Sequence, residues 1–543
     1  MRFRWPQDTV FRRVVLDAEQ RRCDLCSGPL HVCSHRRHRI RTLQGPLELR
    51  CRLKHCAEPA CPSRPATLAP RAELSFALPG WLVGWDALCF VGHRRFSRHW
   101  SVPQIRAELL DAYRIRLSED AICLCLRRYQ AMLAARQQDP AMLRLAYRDI
   151  GALWLSIDGL RPEKGRETLY AVRELNAGRV WFAQALLSSC ADEVRRLLAR
   201  AREMAEALGK PVRLWISGKQ DAFVKGVALE SPGVPHRWCS NRFLRDLAKP
   251  TLQADSHAKV QMRKRIRGLR GIERQVLQAR QDAAPDDAAQ AVLDYCGCVR
   301  GILNDDRGGP LRPAGLRMAD ALAEVRASLG RVLALGKPGP AHGRLARLAG
   351  CIDRGLSEVR DRQAELREQA GAIAEAASTL DAGTGSLPQR RKEFEGLARR
   401  SRDRGGGFRG RLAKVMRAWQ AGLFVAVRGE GASAAPSDSL ELERWFRLPK
   451  GHERRMHGRR VAGVRIVQEG PALLLALDAH RSHPEPFTGE DLLPYRDAKE
   501  PPDQLEAIQR RKVTRKARSP KNGRSSSLNW SGGMPGEFSV LSG

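Results

Sequence analysis

The alternation of short apolar runs with amphipathic stretches between residues 151 and 275 is the feature that most restricts the possible folds of this chain. Apolar runs with strand character alternate with stretches whose apolar residues recur every three or four positions. The predicted strands are 152–157, 167–173, 179–187, 212–217 and 236–239, and the predicted helices are 191–208, a segment from residue 220, and 241–247. Strands separated by helices predict a mixed α/β sheet, in which 167–173 and 179–187 form a hairpin.

The length of the chain, 543 residues, exceeds what one hydrophobic core can organise, so several domains are expected. The first half of the sequence divides into a polar, cysteine-rich segment (1–70), a helical segment (71–145) and an α/β segment (146–275). A charged helical segment follows (276–435), with turns at glycine-rich points such as 404–407. The last segments are 436–500, a helix followed by an apolar strand at 470–477, and 501–543, a basic tail. The tail contains too few apolar residues to fold.

The chain is strongly basic, with 95 lysines and arginines against 60 aspartates and glutamates, a formal net charge of +35 and a pI near 10.6. Self-repulsion at this charge destabilises a compact chain unless a polyanion neutralises it. Nucleic acid is the expected partner, because neutralised phosphates release counterions; a generally arginine-rich composition is the alternative. The start, Met1-Arg-Phe-Arg-Trp-Pro, has no apolar signal region, and no long apolar run follows, so we expect a cytoplasmic, nucleoid-associated protein without a membrane span.

Six of the fourteen cysteines crowd into residues 23–61, which favours a metal site over disulfides. The spacings Cys23-Asp-Leu-Cys26 and Cys56-Ala-Glu-Pro-Ala-Cys61 predict two paired turns whose four thiolates hold a structural Zn²⁺ in a zinc ribbon. Other side chains nearby leave the exact ligand set open; they are Cys33, Cys51, His31, His35 and His55. Reduced structural cysteines without a metal are the alternative.

Two further segments carry basic residues that we expect to contact DNA phosphates. Arg36, Arg37 and Arg39 lie between the two cysteine pairs. Arg127 and Arg128 lie on the second of two helices predicted within residues 103–137, and Ser118 is the predicted N-cap of that second helix. The lengths fit a helix-turn-helix, and a plain helical hairpin inside a larger domain is the alternative.

Asp158 is the main catalytic candidate, because it ends the apolar run Leu153-Trp-Leu-Ser-Ile where strand ends converge. Mg²⁺ or Mn²⁺ binds carboxylate oxygens, and a metal pair can clamp the attacking and leaving oxygens of a phosphodiester. One carboxylate cannot hold such metals, so partner acids are required; an ordinary turn or helix-cap aspartate is the alternative. A late helix offers Glu441 and Glu443, which point to different sides of the helix, and Leu442 and Trp445 mark its apolar side.

Four motifs together resemble bacterial insertion-sequence transposases. They are Asp158-Gly; Leu214-Trp-Ile-Ser-Gly-Lys-Gln-Asp-Ala-Phe; Pro235-His-Arg-Trp-Cys-Ser-Asn-Arg-Phe-Leu-Arg-Asp-Leu-Ala-Lys-Pro; and Leu442-Glu-Arg-Trp-Phe with the trailing Gly451-His-Glu-Arg-Arg-Met-His-Gly-Arg-Arg. The resemblance is to DDE transposases related to the Mutator-like group and covers most of residues 20–480. It implies a multidomain α/β protein with an N-terminal zinc ribbon, a helix-turn-helix and an RNase H-like catalytic sheet interrupted by a large helical insertion.

The resemblance implies catalytic roles for Asp158 as the first acid and Glu443 as the last, both as ligands of Mg²⁺ or Mn²⁺. Position 218, where the family has its second acid, is Gly218 in this chain, and Arg242 stands where the family tends to have the histidine of a Cys-x-x-His. Asp221 is a possible substitute acid; a charge in the first turn of the next helix is the alternative. The basic run 450–460 contains Arg454 and Arg455, expected to follow the DNA backbone, with a solvated cationic face as the alternative.

Two functional hypotheses follow from these residues. The first is a transposase that binds the terminal inverted repeats of an element and target DNA, acts as a homo-oligomer on DNA, and cleaves and joins strands. The second is a transposase-derived DNA-binding protein that has lost catalysis, which Gly218 favours. A zinc-ribbon RNA-binding factor is a third reading, but no aromatic stacking motif supports it.

Overall fold

A computed structural model describes residues 5–160, 167–186, 190–280, 286–403, 407–427, 435–458, 462–503, 505–507, 509 and 512–513. Most of the predicted tail, 514–543, and the predicted turn at 404–406 therefore lie outside the described residues. The chain forms two compact units. Unit 1 comprises Met1–Trp215, Gln220–Val234 and Ser439–Gly543, and unit 2 comprises Ile216–Lys219 and Pro235–Asp438.

A three-stranded mixed sheet opens unit 1. Its strands are β1 (Arg12–Asp17), β2 (Leu30–Thr42) and β3 (Gly45–Cys56), in the order β1-β3-β2. β1 runs parallel to the central strand β3, and β2 pairs with it antiparallel through a two-residue turn. Gly45 begins β3 with φ +110°, a backbone conformation that suits glycine at the end of this turn. One face of the sheet is buried by Ile40, Leu47, Leu49 and Cys51.

Four helices follow the small sheet: α1 (Trp85–Phe96), α2 (Val102–Tyr113), α3 (Glu119–Gln138) and α4 (Pro140–Ala146). The predicted N-cap of α3 is confirmed, because the Ser118 hydroxyl accepts a hydrogen bond from the Ala121 N–H at 3.2 Å. α1 and α3 approach closely at Gly92, where a Cβ would lie 2.4 Å from the Tyr129 ring. Only glycine permits this contact without displacement of the ring.

The predicted mixed α/β sheet is confirmed as a five-stranded sheet in the order β6-β5-β4-β7-β8. Its strands are β4 (Leu153–Leu160), β5 (Thr168–Glu174), β6 (Arg179–Leu186), β7 (Val212–Ser217) and β8 (His236–Trp238), and the helices between them are α5 (Ala191–Leu208) and α6 (Asp221–Glu230). β4, β5 and β6 pair antiparallel, as the predicted hairpin requires. Every residue of β5 is buried, so this strand lies inside the core of unit 1.

The last part of unit 1 is helical, and the prediction of a strand at 470–477 is wrong. The helices are α15 (Leu440–Trp445), α16 (Arg447–His457), α17 (Gly463–Glu469), α18 (Pro471–Ser482) and α19 (Gly489–Leu492). α18 packs against α3 and β6, and it is buried on all sides between Leu473 and His480. This apolar run has no polar face, so its sequence shows no helical period. Its leucines and alanines, and the proline at its first position, nevertheless favour a helix.

A buried ion pair holds α18 against the larger sheet. Asp478 of α18 lies 3.2 Å from the Arg173 guanidinium of β5, and the two side chains are 3% and 1% exposed. The Val180 N–H of β6 donates a second hydrogen bond to the Asp478 carboxylate at 2.8 Å. Burial raises the pKa of Asp478 and lowers the pKa of Arg173, so each charge depends on the other.

Unit 2 is largely helical. Its helices are α7 (Ser240–Arg265), α8 (Leu269–Arg280), α9 (Asp287–Asn304), α10 (Ala314–Leu335), α11 (Pro340–Ser357), α12 (Arg360–Ser378), α13 (Leu387–Asp403) and α14 (Gly407–Leu423). α7 is much longer than the predicted 241–247 and continues through Pro250, because its packing against α10, α11, α12 and α14 outweighs the cost of an internal proline. None of the helices in the described part of the chain is long and apolar enough to cross a bilayer.

Candidate functional site

Four cysteines converge at one end of the small sheet. Cys23 and Cys26 lie between β1 and β2, Cys56 is the last residue of β3, and Cys61 follows it. Their sulfur atoms all lie within 4.8 Å of one another, with 3.7 Å between Cys23 and Cys61 and 3.4 Å between Cys26 and Cys56. Four thiolates bound to one Zn²⁺ at the usual bond length lie about 3.8 Å apart. The group could therefore hold a metal ion, and the expected pairing of the two cysteine turns is confirmed.

The turns that carry these cysteines preshape the group. The Cys23 N–H donates to the Gly28 carbonyl at 2.8 Å, the Ser27 N–H donates to the Cys23 carbonyl at 2.9 Å, and Ser27 adopts φ +58°. The Ser63 hydroxyl lies 2.9 Å from Cys23 Sγ and 3.1 Å from Cys61 Sγ. This hydrogen bond, with backbone N–H groups, lowers the pKa of Cys23 to about 6, and the Ser63 hydroxyl also lowers the pKa of Cys61. Burial raises the pKa of Cys56, so the thiolate is favoured at Cys23 and Cys61 and not at Cys56.

The contact of Ser63 with the cysteine group was not predicted, because a serine two residues after a cysteine carries no signal of its own. The nearby alternatives for the ligand set do not join the group. Cys51 is buried in the apolar face of the sheet, and the Cys33 thiol donates to the Leu53 carbonyl at 3.3 Å. The sequence could not make this distinction, since it depends on which face of a strand each side chain occupies.

Asp158 lies inside β4 and does not end it, which corrects the predicted strand end. β4 continues to Leu160, and Asp158 pairs with Ala171 of β5. The side chain is 5% exposed, and its Oδ1 accepts a hydrogen bond from the Gly159 N–H at 2.6 Å. The pairing continues because Gly159 leaves room for Thr168 and Tyr170, whose side chains would lie within 3 Å of a Cβ there.

Glu443 lies on α15, whose residues pack against β4, the strand that carries Asp158. Glu443 is partly buried, whereas Glu441 is exposed. Leu442 and Trp445 are fully buried, so the predicted apolar side of the helix is confirmed. The helix of the predicted last acid and the strand of the predicted first acid are therefore neighbours in unit 1.

No third acid joins Asp158 and Glu443 in the part of the chain that the structure describes. There, the cysteine group is the only set of three or more His, Cys, Asp or Glu side chains close enough to share a metal ion. Asp221, the possible substitute, is the first residue of α6 and is exposed. Its carboxylate sits where a helix N-terminus favours negative charge, as the alternative reading requires.

Arg242 fills the side-chain space at Gly218. Gly218 follows β7, and Arg242 lies in the first turn of α7. A Cβ on Gly218 would lie 2.8 Å from Arg242 Nη1 and 3.1 Å from its Cδ. The two positions at which this chain departs from the transposase pattern are thus in contact within unit 2, and a guanidinium stands beside the place of the implied second acid.

In comparisons with known proteins, no family model and no curated protein matches this chain. The resemblance to insertion-sequence transposases therefore stays a prediction, and so do the roles that it implies for individual residues.

The arginines predicted to contact DNA have different surroundings. Arg128 donates to the Ala498 carbonyl at 2.9 Å, and Arg127 lies 4.0 Å from Glu500, so both are held by the chain itself. Arg454 and Arg455 are exposed on α16. Their contact with DNA, like that of Arg36, Arg37 and Arg39 on β2, stays a prediction.

A column of stacked rings runs through the core of unit 1. Phe96 stacks on Tyr129 and on His452, with both pairs of ring centres 5.9 Å apart, and Tyr129 stacks on His480. The Tyr129 hydroxyl lies 2.8 Å from His480 Nε2, and His99 Nδ1 lies 2.9 Å from His452 Nδ1. These residues come from distant parts of the sequence, and no local pattern predicted that they would meet.

The buried histidines make unit 1 sensitive to acid. Burial lowers the pKa of His480 to about 3 and that of His99 to about 4. The folded state holds these histidines in the neutral form, so their contribution to stability is complete above the pKa of the unfolded chain, near 6.5. This contribution is lost as the pH falls from 6.5 towards the folded-state pKa of 3 or 4. Between pH 7.5 and pH 5, His480 alone should cost about 2 kcal/mol of unfolding free energy.

This expectation is measured by urea unfolding of the wild type and of His480→Phe at both pH values. The variant should lose less stability on acidification than the wild type by that amount, since phenylalanine cannot be protonated. His257→Phe, the same change at an exposed histidine of unit 2, is the control for the substitution itself. Equal acid sensitivity in wild type and His480→Phe would contradict the argument.

Proposed function

We propose that this chain is a double-stranded DNA-binding protein of transposase ancestry, with a zinc-stabilised N-terminal sheet and without a working metal-dependent nuclease site. Its partner is duplex DNA, and its descent is from proteins that bind the ends of mobile elements. The cysteine group supplies the zinc site, and arginine-rich surfaces supply affinity for phosphates.

The contact between Gly218 and Arg242 is the observation that carries the loss of catalysis. A two-metal site needs several carboxylates, because each Mg²⁺ is held by carboxylates and by oxygens of the substrate. Position 218 offers no carboxylate, and a guanidinium 2.8 Å from its Cβ position adds positive charge. That charge repels a cation and attracts a phosphate. The same replacement therefore opposes metal binding.

An active transposase is the second candidate. The observation in its favour is that α15, which carries Glu443, packs against β4, which carries Asp158. Such a pair could hold a single metal ion if the DNA itself supplied further oxygens. The absence of a third protein ligand among the described residues counts against it.

The deciding experiment measures two properties of the full-length protein, duplex binding and plasmid nicking. We expect binding to a mixed-sequence DNA duplex with a dissociation constant in the range of about 10⁻⁶ to 10⁻⁴ M at physiological salt, typical of non-specific binding. We expect no nicking of supercoiled plasmid in Mg²⁺ or Mn²⁺ above the level of Asp158→Ala. Nicking by the wild type that Asp158→Ala abolishes would establish the active enzyme instead.

A restoration series tests the role of Arg242. Gly218→Asp alone should stay inactive, because the new carboxylate would pair with the adjacent guanidinium. Gly218→Asp combined with Arg242→His removes that cation and should give more metal-dependent nicking than either single variant. Arg245→His, a change at another arginine of α7, is the matched control in the Gly218→Asp background. Nicking restored equally by both histidine variants would show that Arg242 has no special part.

A further inference from the structure

The strand register of the small sheet separates its basic residues onto two faces. Arg36 pairs with Cys51 and His38 with Leu49, so their side chains share the buried face. There Arg36 forms an ion pair with Glu73, and His38 Nδ1 lies 2.7 Å from the same carboxylate. Arg36, predicted to bind DNA together with Arg37 and Arg39, is therefore engaged within the protein on the opposite face from those two.

The outer face of the sheet carries cations in three successive cross-strand rows. The three rows, read across β1, β3 and β2, are Arg13–Glu48–Arg39, Val15–Arg50–Arg37 and Asp17–Arg52–His35. Lys54 extends the face along β3. Six lysine and arginine residues (Arg13, Arg37, Arg39, Arg50, Arg52, Lys54) thus share this face with two acids (Glu48, Asp17), an excess of four positive charges.

The two acids fix the arginines without neutralising the face. Glu48 is buried under Arg39 and Arg50, whose Nε atoms lie 2.8 Å and 3.0 Å from its oxygens. These two guanidinium-bearing side chains remain 40% and 43% exposed, so one buried carboxylate orders two cations that still face solvent. Asp17, a half-exposed carboxylate, lies 3.2 Å from Arg52.

The positions of Arg37 and Arg50 bring two like charges together. They face each other directly across β2 and β3, and like charges at opposite positions destabilise a strand pair. Arg37 is exposed and makes no ion pair or hydrogen bond with any other residue that the structure describes. Such an arrangement is costly in the free protein and becomes favourable when an anion lies across both side chains.

We propose that this outer face, defined by Arg13, Arg37, Arg39, Arg50 and Arg52, is the surface on which the protein binds the sugar–phosphate backbone of duplex DNA. The inference rests on the proposed DNA binding and names its surface. Five of the six cations are arginines, whose planar guanidinium groups bind phosphate oxygens in a bidentate manner. The rows repeat every two residues along the strands, about 7 Å apart, so the face presents regularly spaced positive charge to a regularly spaced polyanion.

Duplex DNA fits this face better than the other polyanions. Single-stranded nucleic acid is bound by grooves with aromatic platforms, whereas the three rows contain no Phe, Tyr or Trp, and the Arg39 guanidinium covers the ring of Phe11 at 4.6 Å. Duplex RNA is recognised through its 2′-hydroxyl groups and shape, which calls for neutral polar side chains as well as cations. An acidic protein would be expected to meet several apolar residues at the centre of its interface, whereas the central row of this face has Arg50 and Arg37 beside a single valine, Val15.

The test compares two variants that lose the same charge from unit 1. The face variant is Arg13→Gln/Arg37→Gln/Arg50→Gln/Arg52→Gln. The control variant carries Arg→Gln at Arg144, Arg148, Arg196 and Arg213, four exposed arginines elsewhere in the unit. Binding of a mixed-sequence DNA duplex is measured between about 50 and 200 mM salt, where each lost phosphate contact lowers the slope of log K against log salt by about 0.9.

We expect the magnitude of that slope to fall by about 3 to 4 in the face variant and by less than about 1 in the control variant. If both variants lose the same, the face has no special role, although the proposed DNA binding stands. If the wild type does not bind duplex DNA, the proposed function fails and this surface with it. Tighter, face-dependent binding of duplex RNA or of an acidic polypeptide would overturn the choice of DNA.

Two further measurements exclude a folding defect. Arg37→Gln alone removes the like-charge opposition, so it should raise the melting temperature slightly while it weakens DNA binding; a lowered melting temperature would contradict the argument. Lysine at the same four positions keeps the charge and should retain most of the salt slope. If the lysine variant loses as much as the glutamine variant while both keep the wild-type circular dichroism spectrum, charge is not the basis of binding.

Discussion

Replacement of Cys56 by serine should abolish metal binding and unfold the small sheet of unit 1. Cys56 is both a member of the four-cysteine group and the last residue of the central strand, β3. The wild type should contain one zinc ion per chain. Because zinc binding by small structural sites contributes about 10–16 kcal/mol to folding at neutral pH, its loss exceeds what the few apolar residues of this sheet can offset.

The measurements are zinc content by elemental analysis and limited proteolysis within residues 12–68. Cys33→Ser is the matched control, since Cys33 lies on β2 but outside the group, and it should keep both zinc and protection. Removal of the metal by a chelator should reproduce the Cys56→Ser result in the wild type. A fully protected sheet without zinc would show that the cysteines pack as reduced thiols, which is the alternative reading of the sequence.

Replacement of Asp478 by alanine should destabilise unit 1 by about 3–5 kcal/mol, because it leaves the charge of Arg173 buried and unpaired. The Arg173 side chain is 1% exposed, and Asp478 is also the acceptor for the Val180 N–H. Chemical denaturation of wild type and variant, followed by the fluorescence of the tryptophans in the sheet, measures the change in unfolding free energy.

The exposed pair Arg148–Asp149 provides the control, because its side chains are 70% and 84% exposed. Asp149→Ala should cost about 0–1 kcal/mol, as surface ion pairs contribute little. The double variant Arg173→Met/Asp478→Leu removes both charges and should recover much of the loss. A double variant as unstable as Asp478→Ala would mean that packing, and not the unpaired charge, dominates at this position.

The sequence predicted most of the elements whose hydrophobic period is unambiguous. The helix at 191–208 has the predicted bounds, and the strand at 212–217 also agrees. The helix has one clear apolar face, and the strand is a short run with β-branched and aromatic residues. Local preference and final packing therefore agree in both. The predicted four-cysteine pairing belongs to the same class, since its spacing is imposed by the geometry of a small metal site.

Other features depend on contacts that no local pattern encodes. The strand β2 is polar on both faces over 34–39, so it lacks an apolar alternation there and was not predicted. As a result Arg36, Arg37 and Arg39 looked equivalent, although alternation in a strand places Arg36 opposite to the others. The contact of Arg242 with Gly218 likewise arises between a helix and a strand end, and it became visible only in three dimensions.

Unit 1 is assembled from both ends of the chain, and this has a consequence for its synthesis. The α18 segment that covers α3 and β6 leaves the ribosome only after the whole of unit 2. A nascent chain that ends before Ser439 therefore exposes the apolar surfaces of α3 and β6. Premature termination within unit 2 should yield an aggregation-prone fragment that chaperones must hold, whereas a chain extended to the end of α18 can bury those surfaces at once.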